Sequence, residues 1–342
     1  MLALLLLWPE TSASAEQAPE IQAKSAIMIT ADGQCLYEKN ADSRMLIAST
    51  TKLMTALVCL EQCGLDEPVS VKPAHCAVEG SSMYLKAGDR YTVRELLTGL
   101  LLASGNDAAL ALADAVGGSE AGFVRLMNRK AEQLEMTQTH FANPHGLDAE
   151  KHYSTAHDLA KLMCACMENA DFRAITSTVS AQIRQMTYLN HNKLLTRYPG
   201  CIGGKTGYTS RAGRCLVSCC EREGLRLVCV TLSDPDDWAD HCALYDWACR
   251  HYARFDLDER LDLEVPVISG SRPSVRLRSG EPLTMILPRD TEIRLRAELP
   301  RFVFAPVCSG ETAGRILVII DYKIVAQSEL VYAQDAALAY PI

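Results

Sequence analysis

Ala48-Ser49-Thr50-Thr51-Lys52-Leu53-Met54-Thr55-Ala56 opens the stretch on which the reading of this chain turns. Leu53, Leu57 and Leu60 recur at i, i+4 and i+7, which predicts a helix from Ser49 to Cys63. On such a helix Ser49 and Lys52, three residues apart, share one face. A serine hydroxyl is a weak nucleophile until a neighbouring base takes its proton. A lysine supplies that base when burial and nearby cations hold its pKa down. The helix N-terminus adds a positive field at Ser49. Alone, the tetrad reads better as an N-cap serine with a solvated lysine one turn on.

Working outward, the helical region from Val93 to Ala115 is apolar except at Ser104-Gly105-Asn106, which costs helix stability and so calls for a reason. Further on, Lys205-Thr206-Gly207 ends a strand that begins near Cys201. A lysine and a hydroxyl there suit a carboxylate, and the glycine permits close backbone approach. Ser25–Thr30 and Gln34–Glu38 read as a hairpin around Asp32-Gly33. Gly213–Cys220 and Leu225–Thr231 read as two strands joined at Glu223-Gly224, and Thr155–Met167 as a helix. Asp236 caps a last helix with the apolar face Trp238, Cys242, Tyr245, Cys249 and Tyr252. The expected fold class is α+β: the first hairpin joins the later strands in one antiparallel sheet, with helices on both faces. Beyond Phe255, short alternating runs at 265–267, 275–278, 284–287, 292–295 and 316–319 predict a small all-β domain over 256–342.

The totals agree with this division. A length of 342 residues suits two domains, 48% apolar residues suffice for a sizeable core, and a net charge of -8 argues against a nucleic-acid partner. Leu2 to Trp8 followed by Ala13-Ser14-Ala15 reads as a signal peptide over 1–15, although no Lys or Arg precedes the apolar run. The catalytic domain is then expected over 16–255. The C-terminal residues 336–342 lack the pattern of an amphipathic anchor, which leaves a released protein or one held at the membrane surface by an uncleaved leader. Fourteen cysteines allow seven disulfides, but Cys215, Cys229, Cys242 and Cys249 occupy positions of buried apolar residues and read as small hydrophobes. His152, His157 and His241 lack metal-ligand spacing, so neither a metal nor a cofactor is expected. The Asp234, Asp236, Asp237 and Asp240 cluster reads as an acidic helix start.

In order, S-x-x-K, S-x-N and K-T-G form a signature of penicillin-binding proteins and serine β-lactamases. The chain resembles that superfamily, and specifically its low-molecular-mass D-alanyl-D-alanine carboxypeptidase branch, over about residues 20 to 255. The likeness extends to Gly80-Ser81-Ser82-Met83, Ser104-Gly105-Asn106-Asp107-Ala108, Asn143-Pro144-His145-Gly146-Leu147 and Gly204-Lys205-Thr206-Gly207-Tyr208-Thr209. The resemblance implies a β-lactamase/transpeptidase-like fold and an exported enzyme that trims a peptidoglycan stem peptide ending in D-Ala-D-Ala. β-Lactam antibiotics would be its covalent inhibitors. It further implies Ser49 as nucleophile, Lys52 as base and Ser104 as proton relay. Asn106 would hold the substrate backbone, Lys205 and Thr206 its terminal carboxylate, and Gly207 would allow close approach. The backbone N–H groups of Ser49 and Tyr208 would form the oxyanion hole. Arg211 and Arg214 are further candidates for the carboxylate, and His145 is expected to be structural. A serine β-lactamase and a non-catalytic penicillin-binding cell-wall protein are the rivals. Against the first, the E-x-x-L-N pattern is missing between Phe141 and Met167; against the second, Lys52 and Lys205 are both present.

Overall fold

The computed structural model describes residues 18–339, so the expected leader lies outside the described residues. These residues divide into two compact units, 18–250 and 251–339.

In the first unit β1 (Ser25–Thr30) is buried along its whole length, as an inner strand must be. It turns at Gly33, whose φ of +91° a glycine takes without strain, into β2 (Cys35–Lys39). A 3₁₀ turn, Ala48–Thr51, then feeds α1 (Lys52–Gln62). The helix expected from Ser49 therefore starts one tighter turn later. Thr50 and Thr51 turn their hydroxyls back onto the carbonyls of Ile47 and Ala48, at 2.7 and 2.8 Å, and this local bonding favours the tighter winding. A ribbon of β3 (Pro68–Ser70) and β4 (Arg90–Thr92) leads to a Thr92/Glu95 capping box, which starts α2 (Val93–Leu102). The helix breaks at residues 103–105 as the sequence suggests, and α3 (Asn106–Gly117) follows.

The sequence reading misses α4 (Glu120–Gln133), capped by Ser119, and the short α6 (Ala170–Thr176), capped by Asn169. Between them α5 (Ala156–Glu168) starts at a Thr155 cap. A hairpin of β5 (Ser180–Ile183) and β6 (Met186–Leu189) and the turn α7 (Leu194–Arg197) precede β7 (Cys201–Thr209), β8 (Gly213–Arg222) and β9 (Leu225–Leu232). The helix α8 (Asp237–His251) closes the unit.

The five main strands form one antiparallel sheet in the order β2-β1-β9-β8-β7, so β7 is an edge strand. Strand alternation divides its neighbours between two layers. Cys215, Val217 and Cys219 of β8, with Val228, Val230 and Leu232 of β9, face the core shared with α1 to α6. Ser218 and Thr231 face the opposite way and bond His241 of α8, at 2.7 and 3.1 Å. The buried face of α8 is therefore Asp237, Asp240, His241, Leu244, Tyr245, Trp247, Ala248 and Cys249, while Trp238 and Cys242 of the expected apolar stripe are only half-buried. A purely apolar reading misplaces this face because its anchor is polar.

The second unit begins with β10 (Tyr252–Asp256), which pairs with β13 (Thr284–Pro288) and so belongs to this unit, ahead of the change in texture at 255. A six-stranded sheet adds β11 (Glu264–Ile268), β12 (Ser274–Ser279), β14 (Arg294–Glu298), β15 (Val303–Phe304), β16 (Thr312–Ile320) and β17 (Lys323–Tyr332). Its core is built from residues such as Val265, Val275, Leu277, Ile316, Val318 and Leu330.

Candidate active site

Ser49 sits half-buried in the 3₁₀ turn, where side chains at i and i+3 eclipse one another. That geometry brings Lys52 Nζ to 2.9 Å from Ser49 Oγ. Lys52 is fully buried. Its Nζ also lies 2.6 Å from Asn106 Oδ1 at the start of α3 and 2.6 Å from the carbonyl of His145. Two of the three neighbours are pure acceptors, so a neutral amine spends both N–H bonds on Asn106 and His145. Its lone pair is then left for the Ser49 hydroxyl proton. Burial first, and the charge of Lys205 second, push the Lys52 ammonium well below its ordinary range, and the Asp107 carboxylate opposes them.

The chain conformation around Ser49 is held against strain. Ala48 has φ +46° and Ser104 φ +62°, both left-handed positions that a side chain disfavours. A Cβ on Gly146 would stand 2.0 Å from the Ala48 carbonyl oxygen, and one on Gly207 would stand 2.9 Å from the Ser49 amide nitrogen. Only glycines let the 143–147 loop and strand β7 press onto the 48–52 turn. The loop braces itself: Asn143 Oδ1 accepts from Gly146 N at 2.7 Å, Asn143 Nδ2 donates to Leu147 O at 2.8 Å, and Thr55 Oγ1 donates to Pro144 O at 2.6 Å. These bonds aim the His145 carbonyl at Lys52.

The break between α2 and α3 positions the rest. Ser104 Oγ is buried and without a hydrogen-bond partner, a donor held in reserve. The Asn106 amide donates one Nδ2 hydrogen to the Glu79 carbonyl at 2.6 Å while its Oδ1 faces Lys52. A Cβ at Gly80 would meet Asn106 Nδ2 at 2.8 Å. The buried Asp107 accepts from Met83 N at 3.0 Å, Leu85 N at 3.0 Å, Ala108 N at 2.9 Å and Ser82 Oγ at 2.6 Å. It thereby ties the 79–85 segment to the start of α3.

On β7, Lys205 is buried with its Nζ donating to Thr206 O at 2.8 Å, and burial pulls its ammonium down to about 7. The strand's two-residue period puts Lys205 and Gly207 toward the 48–52 turn and Thr206 and Tyr208 at alternate positions. The Tyr208 side chain is 68% exposed. Gly207 does not end the strand, which runs on to Thr209.

Other candidates are engaged elsewhere. Arg214 pairs with the buried Asp237, at one end of α8. The His145 imidazole accepts from Leu147 N at 3.2 Å and is pulled down to about 3 by burial, so it is neutral and its 3.9 Å approach to Glu120 is not an ion pair. It makes no hydrogen bond to Ser49, and Asp148 accepts from Thr209 Oγ1 instead. His152 accepts from Ala142 N on Nδ1 and so donates from Nε2 to Thr51 Oγ1, at 2.7 Å. In the acidic cluster, Asp240 caps the backbone N–H groups of Gln22 and Ala23. The sequence reading missed the His145 and Glu79 carbonyls and the carboxylate of Asp107. Carbonyls carry no side-chain signature, and Asp107 signals itself only by following the helix break.

Fold and serine–lysine pairing together define a serine-type hydrolase of the penicillin-binding class. The family model described as D-alanyl-D-alanine carboxypeptidase matches residues 12–236. The chain is similar to the D-alanyl-D-alanine carboxypeptidase DacF of Bacillus subtilis, 31% identical over 92% of this chain and 86% of that one. It is 32% identical to the D-alanyl-D-alanine carboxypeptidase DacC of Escherichia coli over 97% of this chain and 90% of that one. Its structure resembles penicillin binding protein 5 from Haemophilus influenzae with a TM-score of 0.76 at 27% identity, covering 94% of this chain and 99% of the other. This chain belongs to the D-alanyl-D-alanine carboxypeptidase family and is a serine-type hydrolase.

Proposed function

We propose that Ser49 is the nucleophile that removes the terminal D-alanine from peptidoglycan stem peptides, through an ester to the penultimate D-alanine. The observation that carries this reading is the 2.9 Å approach of a buried, pKa-depressed Lys52 to Ser49 Oγ. In the first step neutral Lys52 takes the Ser49 proton as Oγ attacks the peptide carbonyl. The oxyanion forms against the N–H groups of Ser49 and Tyr208, the interaction that lowers the barrier most. The proton on Lys52 passes to the leaving amine through Ser104 Oγ, whose hydroxyl has no competing partner. Lys205 and Thr206 hold the terminal carboxylate, and the arriving anion keeps Lys205 charged. The second Nδ2 hydrogen of Asn106 holds the substrate backbone. Water then cleaves the ester.

A β-lactam places a strained amide at the same carbonyl position and a carboxylate at the same end, so it acylates Ser49 as an inhibitor. Export rests on the leader pattern of residues 1–15, and cleavage after Ala15 would release the protein outside the cytoplasmic membrane. Among the described residues no helix is long and apolar enough to cross a membrane. Two assays test the reading: D-alanine release from a stem pentapeptide, and intact mass after penicillin. The expected result is stoichiometric release and a persistent adduct, both abolished by Ser49→Ala. Rapid loss of the adduct would favour a β-lactamase, and an adduct without D-alanine release a penicillin-binding protein without carboxypeptidase action.

A further inference from the structure

Strand β7 carries a cysteine at its other end. Cys201 stands directly opposite Cys220 of β8, the two being register partners in the antiparallel ladder. Antiparallel pairs come in two kinds, and the flanking bonds identify this one. Glu221 N donates across the strands to Gly200 O at 2.7 Å, while Cys201 N is turned away to Tyr198 O at 3.2 Å. That pattern marks a non-hydrogen-bonded pair, for which the Cα atoms lie about 4.5 Å apart, inside the span a disulfide bridges. The Cys220 sulfur already leans toward the partner strand: a Cβ on Gly200 would meet it at 3.2 Å. Both side chains point to the α8 side of the sheet, since Cys220 shares its face with Ser218. No two of the fourteen cysteines are joined in the structure.

We propose that Cys201 and Cys220 are a disulfide site, closed by a peroxide oxidant, that clamps the edge strand bearing Lys205 to the rest of the sheet. Cys201 is half-buried and Cys220 is buried, so peroxide meets Cys201 first. The Cys201 thiolate attacks one peroxide oxygen and becomes a sulfenic acid, with release of one water after protonation. The Cys220 thiol then displaces the sulfenic hydroxyl, forming the S–S bond and a second water. Two thiols are oxidised by two electrons in all, and one peroxide is reduced to two waters. Burial pushes the Cys220 thiol up to about 12 and raises Cys201 as well, so little thiolate is present and closure is slow. Once closed, the link spans a short loop of the unfolded chain and opposes peeling of β7 from β8.

The test treats the full chain with hydrogen peroxide, blocks remaining thiols with N-ethylmaleimide, and maps disulfides by peptide mass spectrometry. The expected product is a Cys201–Cys220 linked peptide pair, reversed by a phosphine reductant. The melting temperature should rise by roughly 5 °C over the reduced protein. Cys201→Ser and Cys220→Ser should each lose both the link and the rise. Penicillin labelling of Ser49 reports separately whether each variant is folded. Alkylation of both cysteines after oxidation, or a link from Cys220 to Cys249 in place of Cys201, would overturn the proposal.

Discussion

Gly146→Ala offers a measure of how much catalysis depends on one backbone contact. The added Cβ would stand 2.0 Å from the Ala48 carbonyl oxygen and 3.0 Å from Ser49 N, and both obstacles are backbone. To reach even the tightest tolerated separation, either the loop or the 48–52 turn must retreat by roughly 1 Å, a displacement that can cost ~10²-fold in a positioned reaction. The retreat carries the His145 carbonyl away from Lys52, now 2.6 Å off, and loosens the arrangement that leaves its lone pair to Ser49. Separately, φ of +91° with a side chain costs about 1–2 kcal/mol of stability. Gly33 separates the two effects, because it has the same φ of +91° but nothing within 4 Å of an added Cβ. Gly33→Ala should lose about 1–2 kcal/mol and keep its acylation rate. Gly146→Ala should lose more stability and acylate about 10²-fold more slowly. Denaturant unfolding gives the first quantity and stopped-time labelling of Ser49 with a fluorescent penicillin gives the second. Wild-type acylation in a folded Gly146→Ala protein would refute the reasoning.

Three further outcomes are expected. Lys205, held near 7 by burial, loses its charge as pH rises through that value in the empty enzyme, so kcat/KM for a D-Ala-D-Ala peptide should fall on the alkaline side. In Lys205→Arg the guanidinium stays charged, so the alkaline fall should move up by more than about one pH unit, and an unmoved limb would disprove the assignment. Asp107→Asn replaces an acceptor of four donors with a group that offers N–H bonds of its own, costing about 2–4 kcal/mol. It also removes the charge that raises the Lys52 pKa, so the acid limb of Ser49 acylation should shift to lower pH, which a rate–pH profile with a neutral ester substrate would detect or deny. His145, His152 and His241 are held neutral by burial, at about 3, 4 and 3, so the unfolded chain binds more protons than the folded one once pH falls below about 6.5. Each should cost on the order of 1 kcal/mol per pH unit between about 6 and 4, partly offset by Asp234, whose raised pKa acts in the opposite direction. Urea midpoints that stay level between pH 6 and 4 would contradict this.

Residues near one another in the chain were legible in advance. Ser49 and Lys52 lie one turn apart, and any helical winding brings them together. The break at 103–105 and the strands that make up the sheet are set by local pattern, and so is the hairpin turn at Gly33. The sequence likewise places Lys205 on a strand. The polar anchoring of α8 was not legible, because a helix whose buried face includes Asp240 and His241 reads as amphipathic along the wrong stripe until Ser218 and Thr231 are known to lie opposite.

What surrounds Lys52 and depresses its pKa is decided over distance. Its partners Asn106 and His145 stand 54 and 93 residues further along, and one of them acts through a carbonyl that every residue possesses. Gly146 is needed because of the Ala48 carbonyl, which arrives from elsewhere in the chain, and nothing in its own neighbourhood announces it. The depressed pKa of this lysine follows from burial and from a second lysine on another strand. The chain's sequence chose the reacting groups and the periodicities that fold them. Only packing removed the water around them, and an amine that keeps its proton in solvent gives it up when desolvation makes the charged form the costly one.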